Sequence, residues 1–419
     1  MTSPIEQAQA PHSSISWLGA GSSILLARGS DAALRFLLFL ATARILAPAD
    51  FSLYALLTAA LATCQWTLSF GAPRLALYFA ARGRRGALEA WLYMLGVGAS
   101  AAVLLVVLLV PRLRDTFFPA VPAAWVLLGL APLPFSLLAD SLAALLIASG
   151  RTRAYGVTLW MRNGGTVLVL ATSLAAPNRL LWILAGRLVV QAIVAIATAL
   201  LARARPRCAG LARFVPEALR YGVPTAFSDA VVALHRRADV LLLSAFGRAS
   251  EIGAYALAYA LAETVWLVTD SLEAAFFVDL VRRPEAEARS AARRAFRISL
   301  LFALAEFAAG LAVGMLVWHF LFANRYPEVA ALLPWTVGAA ALWAISKPLA
   351  SFLASREQVR RLLACQVAGL ALNLALNVLL IPSLGAKGAA MASLASYAFD
   401  SLLLGVVFAA GKASITPSR

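Results

Sequence analysis

Apolar residues in this chain come in long unbroken runs, and the polar residues collect in short connections between them. Twelve runs stand out, at roughly 17–42, 50–71, 87–110, 121–148, 154–176, 179–201, 218–246, 251–277, 296–320, 329–354, 358–381 and 388–411. About 20 apolar helical residues cross the ~30 Å hydrocarbon core of a bilayer, and each run meets that length. Stretches such as Leu92 to Val110 show none of the in–out alternation that a membrane β-strand needs. Backbone groups in lipid must pair within their own segment, so helices remain. The expected fold is an all-α integral membrane protein with about twelve transmembrane helices. They form two parallel six-helix lobes around a central cavity. The expected divisions are a tail at 1–16, an N-lobe at 17–201, a basic linker at 202–217, a C-lobe at 218–411 and a tail at 412–419.

Composition agrees. Of 419 residues, 62% are hydrophobic and 13% charged, with a mean hydropathy of +0.82. Soluble domains run near 45–50% apolar and about 25% charged. The net charge of +16 does not point to nucleic acid. Lysine occurs only at Lys347, Lys387 and Lys412, and most arginines lie in the short connections, as membrane topology requires. Counting from the N-terminus, the connections on one side of the membrane carry nineteen arginines, and those on the other carry seven basic residues. The arginine-rich side is therefore expected to be cytoplasmic, with both termini there. Residues 1–16 lack a basic segment and cleavage pattern, so no removable signal peptide is expected. Cys64, Cys208 and Cys365 are scattered, without metal-ligand or disulfide spacing. No phosphate-binding loop or nucleophile–base set is visible, so neither an enzyme nor a cofactor is expected.

The chain repeats itself. Ser250-Glu251-Ile252-Gly253-Ala254-Tyr255-Ala256-Leu257 echoes Ala49-Asp50-Phe51-Ser52-Leu53-Tyr54-Ala55-Leu56 at an offset of 201, and Arg236 falls on Arg35 at the same offset. Ala148-Ser149-Gly150-Arg151 likewise echoes Ala354-Ser355-Arg356. Six spans separate the copies, so both keep one membrane sense. Parallel repeats of this kind are found in transporters whose site lies between the halves.

Charges inside the spans are the candidate chemistry, because each costs at least about 2.5 kcal/mol at bilayer depth. Arg28, Asp31 and Arg35 share one face of the first span, and Asp229, His235, Arg236, Arg237 and Asp239 sit in the seventh. Two readings are open. In one, Arg28, Arg35, Arg236 and Arg237 line a cationic cavity for an anionic substrate, since the guanidinium fork matches phosphate. In the other, Asp31 with Arg35 and Asp239 with Arg236 are bracing pairs. Glu263, Asp270 and Glu273 share a face of the eighth span, with Trp266 beside them, placed to stack on a sugar. Asp31, Asp229, Asp239 and Glu263 are the candidate sites for a coupled H⁺ or Na⁺. Asp140, Arg187, Glu306, Lys347 and Asp400 are isolated charges, read as pairs within a lobe or near helix ends.

Several motifs resemble one family. Residues 373–390, reading NLALNVLLIPSLGAKGAA, are similar to the N-x-x-L-N-x-x-L-I-P-x-x-G-x-x-G-A-A signature of polysaccharide flippases. These belong to the multidrug/oligosaccharidyl-lipid/polysaccharide exporter superfamily. Tyr221-Gly222-Val223-Pro224, Arg237-Ala238-Asp239 and Gly253-Ala254-Tyr255-Ala256 also match. Residues 322–326 and 44–54 resemble its F-G-x-x-Y and R-x-L-G-x-x-x-F-G-x-Y motifs, with Ala323, Ala47 and Ser52 in place of glycines. Peptidoglycan-precursor flippases share parts of the signature but usually have fourteen spans. The resemblance implies a bacterial inner-membrane protein that moves undecaprenyl-pyrophosphate-linked oligosaccharide to the periplasmic leaflet. Its partners would be that substrate, membrane lipid, a coupling ion, and the polymerase and assembly proteins of a surface polysaccharide pathway. A multidrug-type exporter of the same superfamily is the alternative, with a cavity dominated by carboxylates. A non-transporting scaffold ranks last, since it leaves the two matched charged spans unexplained.

Overall fold

The computed structural model describes residues 14–80, 85–119, 121–356 and 358–410. The side chains of Arg28, Trp266, Asp270 and Glu273 lie outside the described residues. The elements are α1 (Ser14–Ile45), α2 (Pro48–Leu68), α3 (Ala72–Ala80), α4 (Arg85–Leu109), α5 (Pro111–Phe117), α6 (Ala123–Leu130) and α7 (Leu133–Ala148). They continue with α8 (Thr152–Ser173), α9 (Arg179–Ala202), α10 (Leu211–Ala245), α11 (Ile252–Arg282), α12 (Glu285–Leu321), α13 (Val329–Ser355) and α14 (Val359–Ala410).

Each of the twelve apolar runs is helical. Seven helical segments are long and apolar enough to cross a membrane among the described residues. One of these, α14, is two runs joined across a kink at Gly385. The run at 121–148 breaks at Ala131–Pro132 into α6 and α7, where the proline ring cannot continue the hydrogen-bond ladder. Outward-facing leucines such as Leu301, Leu304 and Leu402 are among the most exposed residues, as expected where lipid is the solvent. Small residues mark the tightest helix contacts, with Ala386, Gly388, Ala389 and Ala390 buried in α14.

One group of helices packs α7 against α9, α3 and α4, and α8 against α9 and α1. The other packs α13 against α11, α12 and α14. The two meet chiefly where α2 touches α10 and α11 and where α1 touches α11. A single apolar cluster fills the seam at the arginine-poor end, with Leu46, Phe51, Tyr255, Phe322 and Tyr326 all buried. The helix α10 starts earlier than its apolar run, and its first turns put Phe214 and Ala218 into a core with α3, α4 and α7.

The repeat reappears as a contact. Ser52 and Gly253 are repeat mates, and Gly253 N–H donates to Ser52 Oγ at 3.0 Å. A Cβ on Gly253 would stand 2.7 Å from that oxygen. Gly253→Ala is therefore expected to lower the thermal midpoint by several degrees, and adding Ser52→Gly should restore it. Equal midpoints for Gly253→Ala and wild type would contradict this packing.

Around that contact the halves are stitched by arginines. Arg44 donates to Leu321 O at 3.2 Å, and Arg325 donates to Arg44 O and, at 3.0 Å, to Leu46 O. Tyr326 Oη adds a bond to Ala43 O at 3.4 Å. Charge-assisted bonds are worth about 1.5–3 kcal/mol each. Arg325→Ala should then open this seam about tenfold more often. The measurement is impermeant-maleimide labelling of Ala43→Cys in a background without native cysteines. Unchanged labelling would mean that the apolar cluster alone holds the seam.

Candidate functional site

The seventh and eighth spans build the charged centre. On α11, Tyr255, Tyr259 and Glu263 recur every fourth residue and so lie on one face. On α10, Arg236 and Arg237 reach across to that face. Arg236 Nη2 and Arg237 Nη2 both donate to the same atom, Glu263 Oε1, at 2.8 and 3.0 Å. The three side chains keep 27%, 32% and 26% of their surface exposed, so the cluster is open to small groups from outside the core. Arg237 also lies over the Tyr259 ring, 5.2 Å from its centroid, which fixes the plane of its guanidinium. Glu263 lies eleven residues into α11, or about 16 Å along its axis at 1.5 Å per residue, a length about half the ~30 Å of a bilayer's hydrocarbon core.

Behind this cluster lies a buried polar network. Asp239 accepts bonds from the Tyr255 hydroxyl, from Ser393 Oγ at 3.1 Å and from Val240 N–H at 3.0 Å. His235 meets Ser396 Oγ at 3.1 Å, and its ring contacts Tyr397 and Trp343 at centroid distances of 4.7 and 5.6 Å. Asn373 Nδ2 donates to Ser396 Oγ at 3.2 Å and Asn377 Nδ2 to Asn373 Oδ1 at 3.0 Å. Buried polar groups demand such partners, and this network sets the rotation of α10 against α14. Lys347 on α13 is buried too, within electrostatic range of Arg236.

The charges of α1 are elsewhere. Asp31 is buried and pairs with Arg35 at 2.8 Å, and it accepts from Asn163 Nδ2 of α8 at 3.0 Å. This is the bracing pair of the second reading. The other pair in that reading, Asp239 with Arg236, is not formed: Arg236 takes Glu263, and Asp239 takes neutral hydroxyls. Arg35 stays 57% exposed and Asp229 is half-buried on α10. The structure thus gathers Arg236, Arg237 and Glu263 into one cluster, sets Asp239 beside it, and keeps Asp31 and Arg35 in a separate one. Close to the latter is a cavity of about 210 Å³ lined by Pro73, Asp140, Tyr155, Thr158, Arg162 and Thr198. Inside it Arg162 pairs with Asp140 at 3.4 Å, and Gln65 donates to the same carboxylate at 2.5 Å. Arg187, another isolated charge, donates to Thr58 Oγ1 at 2.8 Å.

Comparison with known families decides the class. The model of a family described as "Polysaccharide biosynthesis protein" matches residues 41–331. The chain belongs to that family. Among curated proteins none matches this sequence. Among solved structures, "Lipid II flippase MurJ, inward closed conformation" has a TM-score of 0.64 at 13% identity, covering 92% of this chain and 87% of that one. An inward-facing multidrug resistance MATE transporter of the MOP superfamily has a TM-score of 0.61 at 12% identity, covering 96% and 97%. A mutant form of the Vibrio cholerae MATE transporter VcmN gives 0.56 at 13% identity, covering 95% and 98%. At such identities the likeness is one of fold: the twelve-helix, two-lobe transporter fold of a multi-pass membrane protein.

Within this polysaccharide biosynthesis family member, sequence reasoning missed the partners. Tyr255, Tyr259, Tyr397, Ser393, Ser396, Asn163 and Trp343 carry much of the two clusters and are not among the candidate site residues named from the sequence. The signal was present as spacing. Asn373 and Asn377 stand four apart, and Ser393, Tyr397 and Asp400 fall at i, i+4 and i+7 of an apolar run. Polar stripes of that period inside a membrane helix face protein, not lipid.

Proposed function

We propose that this protein is a flippase that carries undecaprenyl-pyrophosphate-linked glycan repeat units from the cytoplasmic to the periplasmic leaflet of the bacterial inner membrane, for surface polysaccharide assembly. The observation that carries the reading is the convergence of two guanidiniums on one oxygen position between the seventh and eighth apolar runs, in a member of a polysaccharide biosynthesis family. Fixed donors aimed at a single oxygen, in a site partly shielded from water, suit a phosphate. Arg236 and Arg237 hold the pyrophosphate, Arg28 and Arg35 guide it from the N-lobe side, and Trp266 takes the sugar. The lipid tail stays in the bilayer throughout. Rocking of the lobes 17–201 and 218–411 about the basic linker 202–217 exposes the site to each side in turn. Asp31, Asp229 and Asp239 are the positions at which H⁺ or Na⁺ would couple to that motion, and the polymerase and assembly proteins receive the product.

The test is surface glycan display in a deletion strain complemented by wild type or by Arg236→Ala/Arg237→Ala. Wild type should restore display. The double variant should be present in the membrane, fail to restore display, and leave lipid-linked oligosaccharide inside the cell. Normal display from the double variant, together with drug sensitivity in the deletion strain, would replace this reading with that of a multidrug exporter.

A further inference from the structure

We propose that Glu263 is a built-in stand-in for the substrate: its carboxylate occupies the position of a phosphate oxygen in the resting protein and is displaced when a pyrophosphate diester binds. The inference rests on the flippase reading above and deepens it. Both guanidiniums donate to Glu263 Oε1, at 2.8 and 3.0 Å, so the arrangement defines one anionic oxygen site with two charge-assisted donors. A second anionic oxygen cannot share that position, since like charges at contact distance repel strongly where water is scarce. An incoming phosphate must therefore move the carboxylate aside.

Charge decides which ligands can do so. Two guanidiniums and one carboxylate leave the trio with a net positive charge. A monoanion gains little over Glu263 itself, which is already tethered and loses no translational freedom on binding. A pyrophosphate diester carries two charges and supplies oxygens to both guanidiniums. The geometry thus selects dianionic diphosphate headgroups over single phosphodiesters. It also supplies a route to release, because Glu263 can return and compete the product off. Without such a competitor two arginines would hold a diphosphate too tightly for turnover. Arg237, fixed over Tyr259 at 5.2 Å, stays in place during the exchange, so the mobile partner is the carboxylate.

The experiment is titration of inorganic pyrophosphate into the purified full-length protein in detergent, for wild type, Glu263→Gln and Arg236→Gln/Arg237→Gln. Removal of the competing charge frees two charge-assisted bonds, so Glu263→Gln should bind at least about tenfold more tightly than wild type. The arginine variant should bind none. If Glu263→Gln binds no better than wild type while the arginine variant loses binding, Glu263 merely orients the arginines; displacement is then wrong and the anion site stands. If the arginine variant binds like wild type, the site itself is misplaced. A second measurement uses the unaltered protein: modification of Glu263 by an isoxazolium carboxyl reagent, read by mass spectrometry, should rise when pyrophosphate is added. Unchanged or reduced modification would overturn the proposal.

Discussion

Gly385→Ala is expected to prevent stable accumulation of the protein. Gly385 has φ 56° and ψ −134°, a region that side chains avoid, and holding alanine there costs about 1–3 kcal/mol. The site is also full. A Cβ at this position would overlap Glu251 Oε2. That carboxylate accepts from Ala386 N–H at 2.6 Å and from Arg248 at 3.1 Å, while Arg248 Nη2 donates to Pro382 O at 2.8 Å. Glu251 thus ties the start of α11 to the kink of α14. Ejecting it breaks two charge-assisted bonds worth about 1.5–3 kcal/mol each, a large share of the roughly 5–15 kcal/mol that holds a typical protein folded. The check is the thermal midpoint by size-exclusion chromatography. Glu251→Ala/Gly385→Ala should recover part of the loss, since it removes the clash and keeps the backbone strain. Wild-type behaviour of Gly385→Ala alone would mean that α14 can kink another way.

Arg236→Ala/Arg237→Ala should reduce transport by more than about a hundredfold, because two charge-assisted contacts to a phosphate together contribute at least about 3 kcal/mol. It should also destabilise the protein somewhat, leaving the half-buried Glu263 carboxylate without either guanidinium. Adding Glu263→Ala separates the two effects. The triple variant should regain the stability of wild type and none of its transport. Recovery of transport in the triple variant would show that the arginines only balance Glu263.

How much of this was legible depends on what each feature rests upon. Membrane helices announce themselves by length and apolarity, so each of the twelve runs is a helix. The kink of α14 was marked by Pro382 and Gly385, and the 201-residue offset of the repeat returns as the Ser52–Gly253 hydrogen bond. The charged spans were equally visible. What the chain did not disclose is which way each helix is rotated against its neighbours. Arg236 and Asp239 stand three apart, a spacing that allows a pair on one helix. The structure instead turns Arg236 toward Glu263 and Asp239 toward Tyr255 and Ser393, because α11 and α14 flank α10. Asp31 could be matched with Arg35 from spacing alone, yet its second partner, Asn163, is 132 residues away. The early start of α10 was also hidden, since its first turns are too polar to resemble a span and are held by Phe214 against Phe79, with ring centroids 4.9 Å apart.

The most direct test of the central claim is flipping by the purified protein in liposomes. Lipid-linked oligosaccharide would be placed in both leaflets, and the fraction accessible to an added impermeant glycosidase followed over time. Wild type should convert nearly all of the substrate, drawing on the inner leaflet, while Arg236→Ala/Arg237→Ala should stop at the fraction already in the outer leaflet. Equal conversion by the two proteins would contradict the placement of the anion site, and a wild type that stops at the outer-leaflet fraction would contradict flipping itself.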